Sequence, residues 1–323
     1  MSTRRFINLV ALIHVLYVCN VADDWISAGV KRLGVSANTI VSHHTTTHNE
    51  RAEAAATCSN LAKDTCSAEK TIQNFLSSDS SKGDKFYIQG WRWHTLSLIR
   101  DSNRLQKYAS SIQKDMHNTS QEKLQSLNKA VDHVIDFNLK GLQRIEKDVF
   151  FPWLRQKLIN EDTVGADAKK AFRVVIDSVD CDRNRIDEIA SKIRSEVKAL
   201  VDPKSSASVM ENTVHNLAQL SDSLSVIATS IMEREDRLLV PAVTKVVSSR
   251  EQKSFNSRVL RNLGIFESRC HLVGMHDAVY DSSYGNEEEQ SLFVEQIPSV
   301  ARMMIERWKR SLYEPKAGML HEL

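Results

Sequence analysis

Two segments of the chain share a phrase in which a glutamate comes six residues before a proline. The first reads Ile145-Glu-Lys-Asp-Val-Phe-Phe-Pro152-Trp-Leu, and the second reads Arg234-Glu-Asp-Arg-Leu-Leu-Val-Pro241-Ala-Val. A proline inside a helix costs about 3 kcal/mol and usually kinks it. Two prolines at matching places therefore predict a shared architectural role for the two segments.

Other acids interrupt apolar stripes, where a side chain that turns inward must be satisfied. Asp101 follows His94 by seven residues on one predicted helix face, and Asp182 lies within the apolar stripe of a later helix. An unpaired buried carboxylate is costly, so these acids are expected to bind a metal, to pair with a cation, or to stay protonated in hydrogen bonds. The candidate cations are Arg100, Arg104 and Arg144.

The elements that must position these residues are helices. Apolar residues recur at spacings of three and four from residue 86 to residue 313, which is typical of amphipathic helices. The pattern predicts helices at about 89–116, 120–158, 166–201, 207–247, 252–280 and 287–313. Short loops at 160–165 and 202–206 favour antiparallel neighbours. The fold class predicted is all-α, an up-and-down bundle.

The two phrases, with Trp91-Arg-Trp-His94-Thr-Leu-Ser-Leu-Ile-Arg, resemble the hemerythrin-like (HHE cation-binding) family over roughly residues 87–247. That family is a four-helix bundle that holds non-haem iron with histidines and carboxylates. The resemblance implies a hemerythrin-like four-helix bundle with additional C-terminal helices. By matching, His94, Glu146 and Glu235 fall on family ligand positions. Leu142 and Ile231 stand where the family has histidine, so a degenerate metal site is implied.

The candidate metal ligands are therefore His94, Glu146, Glu235, Asp182 and Asp101. Counting from the turns puts all of them except Asp101 at similar heights in an up-and-down bundle. One imidazole with several carboxylate oxygens is a hard ligand set, conceivable for iron or manganese. A retained metal site and a metal-free vestige both stay open.

The remaining histidines offer few substitutes for the missing ligands. At about 100° per residue, His133 and Glu146 point to roughly opposite faces of their helix. His271 and His276 alone are expected to reach the core, and they cannot both face it because about 140° separates them.

Composition excludes several classes of protein. Among 323 residues, 43 are Lys or Arg and 41 are Asp or Glu, so a formal charge of +2 gives no field to attract nucleic acid. Ten glycines and five prolines are too few for a loop-rich sandwich or propeller. The five cysteines include no C-x-x-C pair. Free thiols and a Cys58–Cys66 disulfide are both open.

The chain divides into four predicted regions. Residues 1–30 carry Arg4 and Arg5 before an apolar run, which fits either a signal peptide or an N-terminal helix. Residues 31–85 form a polar and helical extension, 86–315 the bundle with its C-terminal helices, and 316–323 a tail. The apolar run favours a secretory or membrane-anchored location, and it is the only segment expected to contact a membrane.

Three functions are compatible with these features. The first is a hemerythrin-like, non-catalytic bundle with a reduced or lost metal site. The second is a carboxylate-rich protein that binds non-haem iron or manganese, with a metal-handling or redox role. The third is a helical interaction or scaffold protein. No catalytic residue is predicted, and the one cofactor considered is non-haem iron.

Overall fold

The computed structural model describes residues 64–78, 85–160, 162, 164–201 and 206–320. These residues are almost entirely helical and contain no strand, which confirms the all-α prediction. The predicted N-terminal segment, 1–30, lies outside the described residues.

Nine helices occur in the described ranges, and three of the longest contain π-helical turns. They are α1 (64–76), α2 (Gln89–Lys114), α3 (121–160), α4 (Ala166–Val201), α5 (207–246), α6 (Ser249–Leu263), α7 (Ile265–Val279), α8 (Glu287–Gln296) and α9 (299–317). Short 3₁₀ turns follow α2 at Met116–Asn118 and α9 at Gly318–Leu320.

Polar side chains cap four of the helix starts. The side chains of Ser120, Ser206 and Asn286 each accept a hydrogen bond from the backbone amide three residues later. Ser248 forms a capping box with Glu251 at the start of α6. Such caps satisfy amides that have no partner within the helix.

Two predicted helices are each broken into two. The predicted helix 252–280 ends and restarts at Gly264, whose φ of 75° is left-handed and therefore favours glycine. The predicted helix 287–313 divides at Pro298, which precedes α9. The C-terminal part therefore contains four shorter helices where the apolar stripes predict two.

The matched prolines each follow a π-helical turn. The amide of Phe151 donates to the carbonyl of Glu146, five residues back, just before Pro152. The amide of Val240 donates in the same way to the carbonyl of Glu235, just before Pro241. Proline lacks an amide hydrogen and crowds the carbonyl four residues before it, so a wider turn accommodates the ring.

Helix α2 lies between two groups of helices. On one side it contacts α3 and α5, and α4 in turn contacts both α3 and α5. On the other side α7 packs along α2, and α8 and α9 pack on α7. Every residue of α2 from Trp93 to Ser102 is buried, because both sides of the helix are covered.

The described cysteines give one correction. Cys66 is an exposed free thiol, so the Cys58–Cys66 pairing is wrong. Cys270 is a buried free thiol, whereas Cys181 is in a disulfide.

None of the helices that the structure describes is both long and apolar enough to cross a membrane.

Leu142 and Ile231, which the resemblance places where the family has histidine, face the core; we call these the vacated ligand positions. Leu142 is 4% exposed and Ile231 is 3% exposed. We expect Leu142→Ala and Ile231→Ala each to lower the free energy of unfolding by about 2–5 kcal/mol, because each removes buried methyl groups and leaves a cavity. Val226→Ala, on the solvent side of α5, is the matched control and is expected to change it by less than about 0.5 kcal/mol. Denaturant titration measures the free energy of unfolding of all three variants. Equal losses of stability in the three would show that the assigned inward faces are wrong.

Candidate functional site

The two glutamates of the repeated phrase meet at one guanidinium. Arg183, on α4, forms ion pairs with Glu146 on α3 and with Glu235 on α5, the latter at 2.7 Å between Nη2 and Oε1. The indole of Trp91, on α2, donates a hydrogen bond of 2.9 Å to the other oxygen of Glu146. Four helices therefore contribute to this buried cluster, which we call the carboxylate–arginine site.

The site holds more negative than positive charge when all its groups are ionised. Glu146 and Glu235 are both about 3% exposed, and Arg183 is 14% exposed. Burial raises the pKa of Glu235 to about 7, and the charge of Arg183 only partly opposes this shift. Burial also lowers the pKa of Arg183, but a guanidinium stays protonated in proteins. Burial therefore favours a proton on Glu235 over a second negative charge at this site.

A small cavity lies against this site. Its volume is about 20 Å³, enough for one water molecule. Leu142, Ile231, Glu146 and Arg183 all line it, together with Thr95 and other residues. The positions that the resemblance identifies as vacated thus share one cavity with the carboxylate–arginine site.

Asp182 does not join the glutamates. Its carboxylate accepts a hydrogen bond from Arg234 at 3.0 Å and contacts Arg185 at 3.3 Å, at a half-buried position. Arg183, its neighbour in sequence, turns inward instead. The apolar stripe of α4 is compatible with either residue facing the core, because Arg183 is four residues after Val179 and three before Ile186.

His94 and Asp101 belong to a second buried polar cluster. The guanidinium of Arg100 donates to Asp101 at 2.7 Å and to the hydroxyl of Tyr313 at 2.6 Å. Asn138 donates to the other carboxylate oxygen of Asp101 at 2.9 Å, and His133 lies 3.3 Å from the same oxygen. These partners hold the pKa of Asp101 well below its usual range, although its burial acts in the opposite direction.

Two imidazoles contact each other at the edge of this second cluster, with their ring planes inclined by 49°. The ring centroids of His94 and His271 are 4.2 Å apart, and Phe137 stacks on His271 at 4.3 Å. Burial lowers the pKa of both histidines, and the Coulombic effect of His271 lowers that of His94 further. The pair is therefore neutral at physiological pH, with Glu267 beside His271 and Asp101 near His94 as the facing acids.

The sequence analysis did not predict the burial of one histidine, His133. His271 reaches the core as expected and His276 stays half-buried, but His133 is also buried and contacts Asp101. Residues Asp132–Leu139 form a π-helical stretch, in which each turn contains more residues than an α-turn. His133 and Glu146 do not share a cluster, and His133 is buried because Asp101 of α2 and Tyr313 of α9 cover it.

The five predicted ligands thus have three separate sets of partners. Arg183, which no sequence signal singled out, lies where a shared cation would bind the two glutamates. The residues around Glu146 and Glu235 do not fit the iron centre that the resemblance implies, because a permanently charged guanidinium already bridges them. Within the ranges that the structure describes, no group of three or more His, Cys, Asp or Glu side chains could hold a metal ion.

Comparison of the chain with protein-family models, with curated proteins and with solved structures finds no match. The site is therefore interpreted from its own geometry.

Replacing Arg183 tests whether the two glutamates depend on it. We expect Arg183→Met to lower the free energy of unfolding by about 3–5 kcal/mol, because it leaves two buried carboxylates without their counter-charge. Arg185→Met is the matched control on the same helix; Arg185 is exposed, so we expect a change below about 0.5 kcal/mol. Adding Glu146→Gln and Glu235→Gln to Arg183→Met should restore part of the loss. Equal stability of the two arginine variants would contradict the bridging role.

The adjacent buried histidines, His94 and His271, predict a loss of stability in acid. Their pKa values are lowered by folding, so between about pH 7.5 and 5.5 the unfolded chain takes up protons that the folded chain does not. Each such imidazole lowers the free energy of unfolding by up to about 1.4 kcal/mol per pH unit below its unfolded pKa.

Chemical denaturation at several pH values measures this effect. His271→Asn should have a shallower pH dependence than the parent, whereas His215→Asn, at an exposed position, should not. The opposite contribution of Glu235, whose pKa is raised, is present in all three proteins and cancels in the comparison. Identical slopes in the parent and His271→Asn would show that His271 is not held neutral.

Proposed function

We propose that this protein is a hemerythrin-like helical bundle without a metal centre, and that it acts non-catalytically, by binding. In this proposal α2, α3, α4 and α5 are the four bundle helices, and α7, α8 and α9 are the additional C-terminal helices. The observation that carries the proposal is the position of Arg183, whose guanidinium bridges the two glutamates of the repeated phrase.

The contacts among the long helices support the bundle assignment. Helix α2 packs on α3 and α5, and α4 packs on α3 and α5, which is the neighbour order of an up-and-down four-helix bundle. Glu146 and Glu235 both begin π-helical turns six residues before a proline. Four residues before each glutamate stands a buried apolar side chain, where the family has histidine.

The chemistry of the guanidinium supports a non-catalytic role at this site. Arg183 supplies positive charge and fixed hydrogen-bond donors, so it neutralises the carboxylates much as a cation would. It has no accessible redox state and no exchangeable ligand position. A carboxylate-rich iron or manganese protein, the second hypothesis, would require Arg183 to leave the site.

A helical interaction protein is a second candidate that one observation favours. Phe266 on α7 is 71% exposed and Met303 on α9 is 82% exposed, both on the C-terminal helices. Large apolar side chains at such exposure suit contact with a partner. This candidate is compatible with a metal-free bundle and does not depend on the resemblance.

Iron loading separates a metal-free core from a working carboxylate site. We expect the parent protein to retain almost no iron after loading with ferrous iron and desalting. The triple variant Arg183→Met, Leu142→His, Ile231→His should retain iron, because it removes the bridging cation and places an imidazole one turn before each glutamate. Iron per chain is measured by elemental analysis.

Two controls make the result specific. Glu146→Ala added to the triple variant should abolish the iron that it gained, and Leu142→His with Ile231→His alone should retain little, because Arg183 still bridges the glutamates. Stoichiometric iron in the parent would overturn the metal-free proposal. No iron in the triple variant, with its fold retained by circular dichroism, would overturn the assignment of the vacated ligand positions.

A further inference from the structure

An open groove lies between α3, α7 and α9, on the side of the molecule that the C-terminal helices cover. Its volume is about 500 Å³, within the range of about 300–1,000 Å³ that is typical of small-molecule sites. Apolar groups from all three helices line it: Phe137 of α3, Phe266 and Cys270 of α7, and Leu312 and Pro315 of α9.

Phe266 is the most unusual of these side chains. It is 71% exposed although it stands at the edge of an apolar groove. An aromatic ring in this position gives a ligand a hydrophobic wall, and burying the ring would gain free energy roughly in proportion to its covered apolar area.

The charges at the groove are positive. Lys316 lines the groove, and its ammonium group lies 4.8 Å from the centroid of the Phe137 ring. Arg269 of α7 has its guanidinium carbon 5.9 Å from the centroid of the Phe266 ring and 5.2 Å from that of the Trp308 ring. Across the part of the chain that the structure describes, neither cation forms an ion pair.

The acidic and sulfhydryl groups of the groove do not cancel this charge. Glu267 is already paired with Arg144 at 2.6 Å and contacts His271 at 3.4 Å. Burial raises the pKa of Cys270 to about 11, so its thiol is uncharged at neutral pH. The groove thus combines apolar walls with the ammonium group of Lys316, which has no counter-charge among the described residues.

We propose that this groove binds a small amphipathic organic anion, with an aliphatic or aromatic body against Phe137, Phe266 and Leu312 and with a carboxylate-like head at Lys316. Charge selects the anion, and the apolar walls supply the area that is buried. A cation of the same shape would face the ammonium group of Lys316 without compensation. The proposal is independent of the carboxylate–arginine site, which lies on the other side of α2 and involves none of these residues.

Calorimetric titration of the full chain tests this proposal with two probes of equal chain length. Decanoate, below its micelle concentration, should bind with one molecule per chain, and decyltrimethylammonium should give no measurable binding. Lys316→Met keeps the apolar stem but removes the charge, so it should weaken decanoate binding by about fivefold, the size expected for one exposed charge pair. Phe266→Ala should weaken it as well, through lost apolar contact.

Lys192→Met, at an exposed position on α4, is the matched control and should bind decanoate like the parent. All three substituted side chains are exposed, so the variants are expected to fold, and circular dichroism checks this. The proposal is overturned if decanoate does not bind the parent, if the ammonium probe binds equally well, or if Lys316→Met and Phe266→Ala both bind like the parent.

Discussion

Two buried carboxylates that need a cation are the constraint on which the centre of this molecule depends. Glu146 and Glu235 lie on different helices, far from solvent, and an isolated buried charge would cost several kcal/mol. Arg183 satisfies both and so joins α3, α4 and α5, while Trp91 adds α2 through its indole. Arg183 and Trp91 together therefore link four helices at one cluster, within which burial raises the pKa of Glu235.

The repeated glutamate–proline phrase has a backbone counterpart. In both α3 and α5 a π-helical turn begins at the glutamate and ends just before the proline. The proline ring removes a hydrogen bond and needs space, which the wider turn supplies. The same deformation thus occurs in both helices, beside a glutamate that pairs with Arg183. The shared architectural role predicted from the phrase has this structural counterpart.

The C-terminal helices depend on a separate polar cluster. Asp101 is held by Arg100, Asn138 and His133, and Tyr313 of α9 closes the group through Arg100. The contact between the rings of His94 and His271 joins α2 to α7 beside it. This network lies between the two apolar clusters of the protein, so α7 and α9 are fixed to α2 by polar contacts as well as by apolar packing. In acid, protonation of these buried histidines costs free energy and so weakens the packing of α7 on α2.

Periodicity and local chemistry were sufficient to predict helices and the inward positions of Leu142 and Ile231, because these depend on one helix at a time. The partners of the polar residues were not predictable in this way. Asp182 and Arg183 are both compatible with the stripe of α4, and only packing against α3 and α5 decided that the arginine turns inward. The burial of His133 was missed because it depends on residues of α2 and α9, which a count along α3 alone does not include. The amino-acid sequence alone determined which residues could be buried, and the tertiary structure decided which charges meet, because a buried charge is stabilised by partners from other helices.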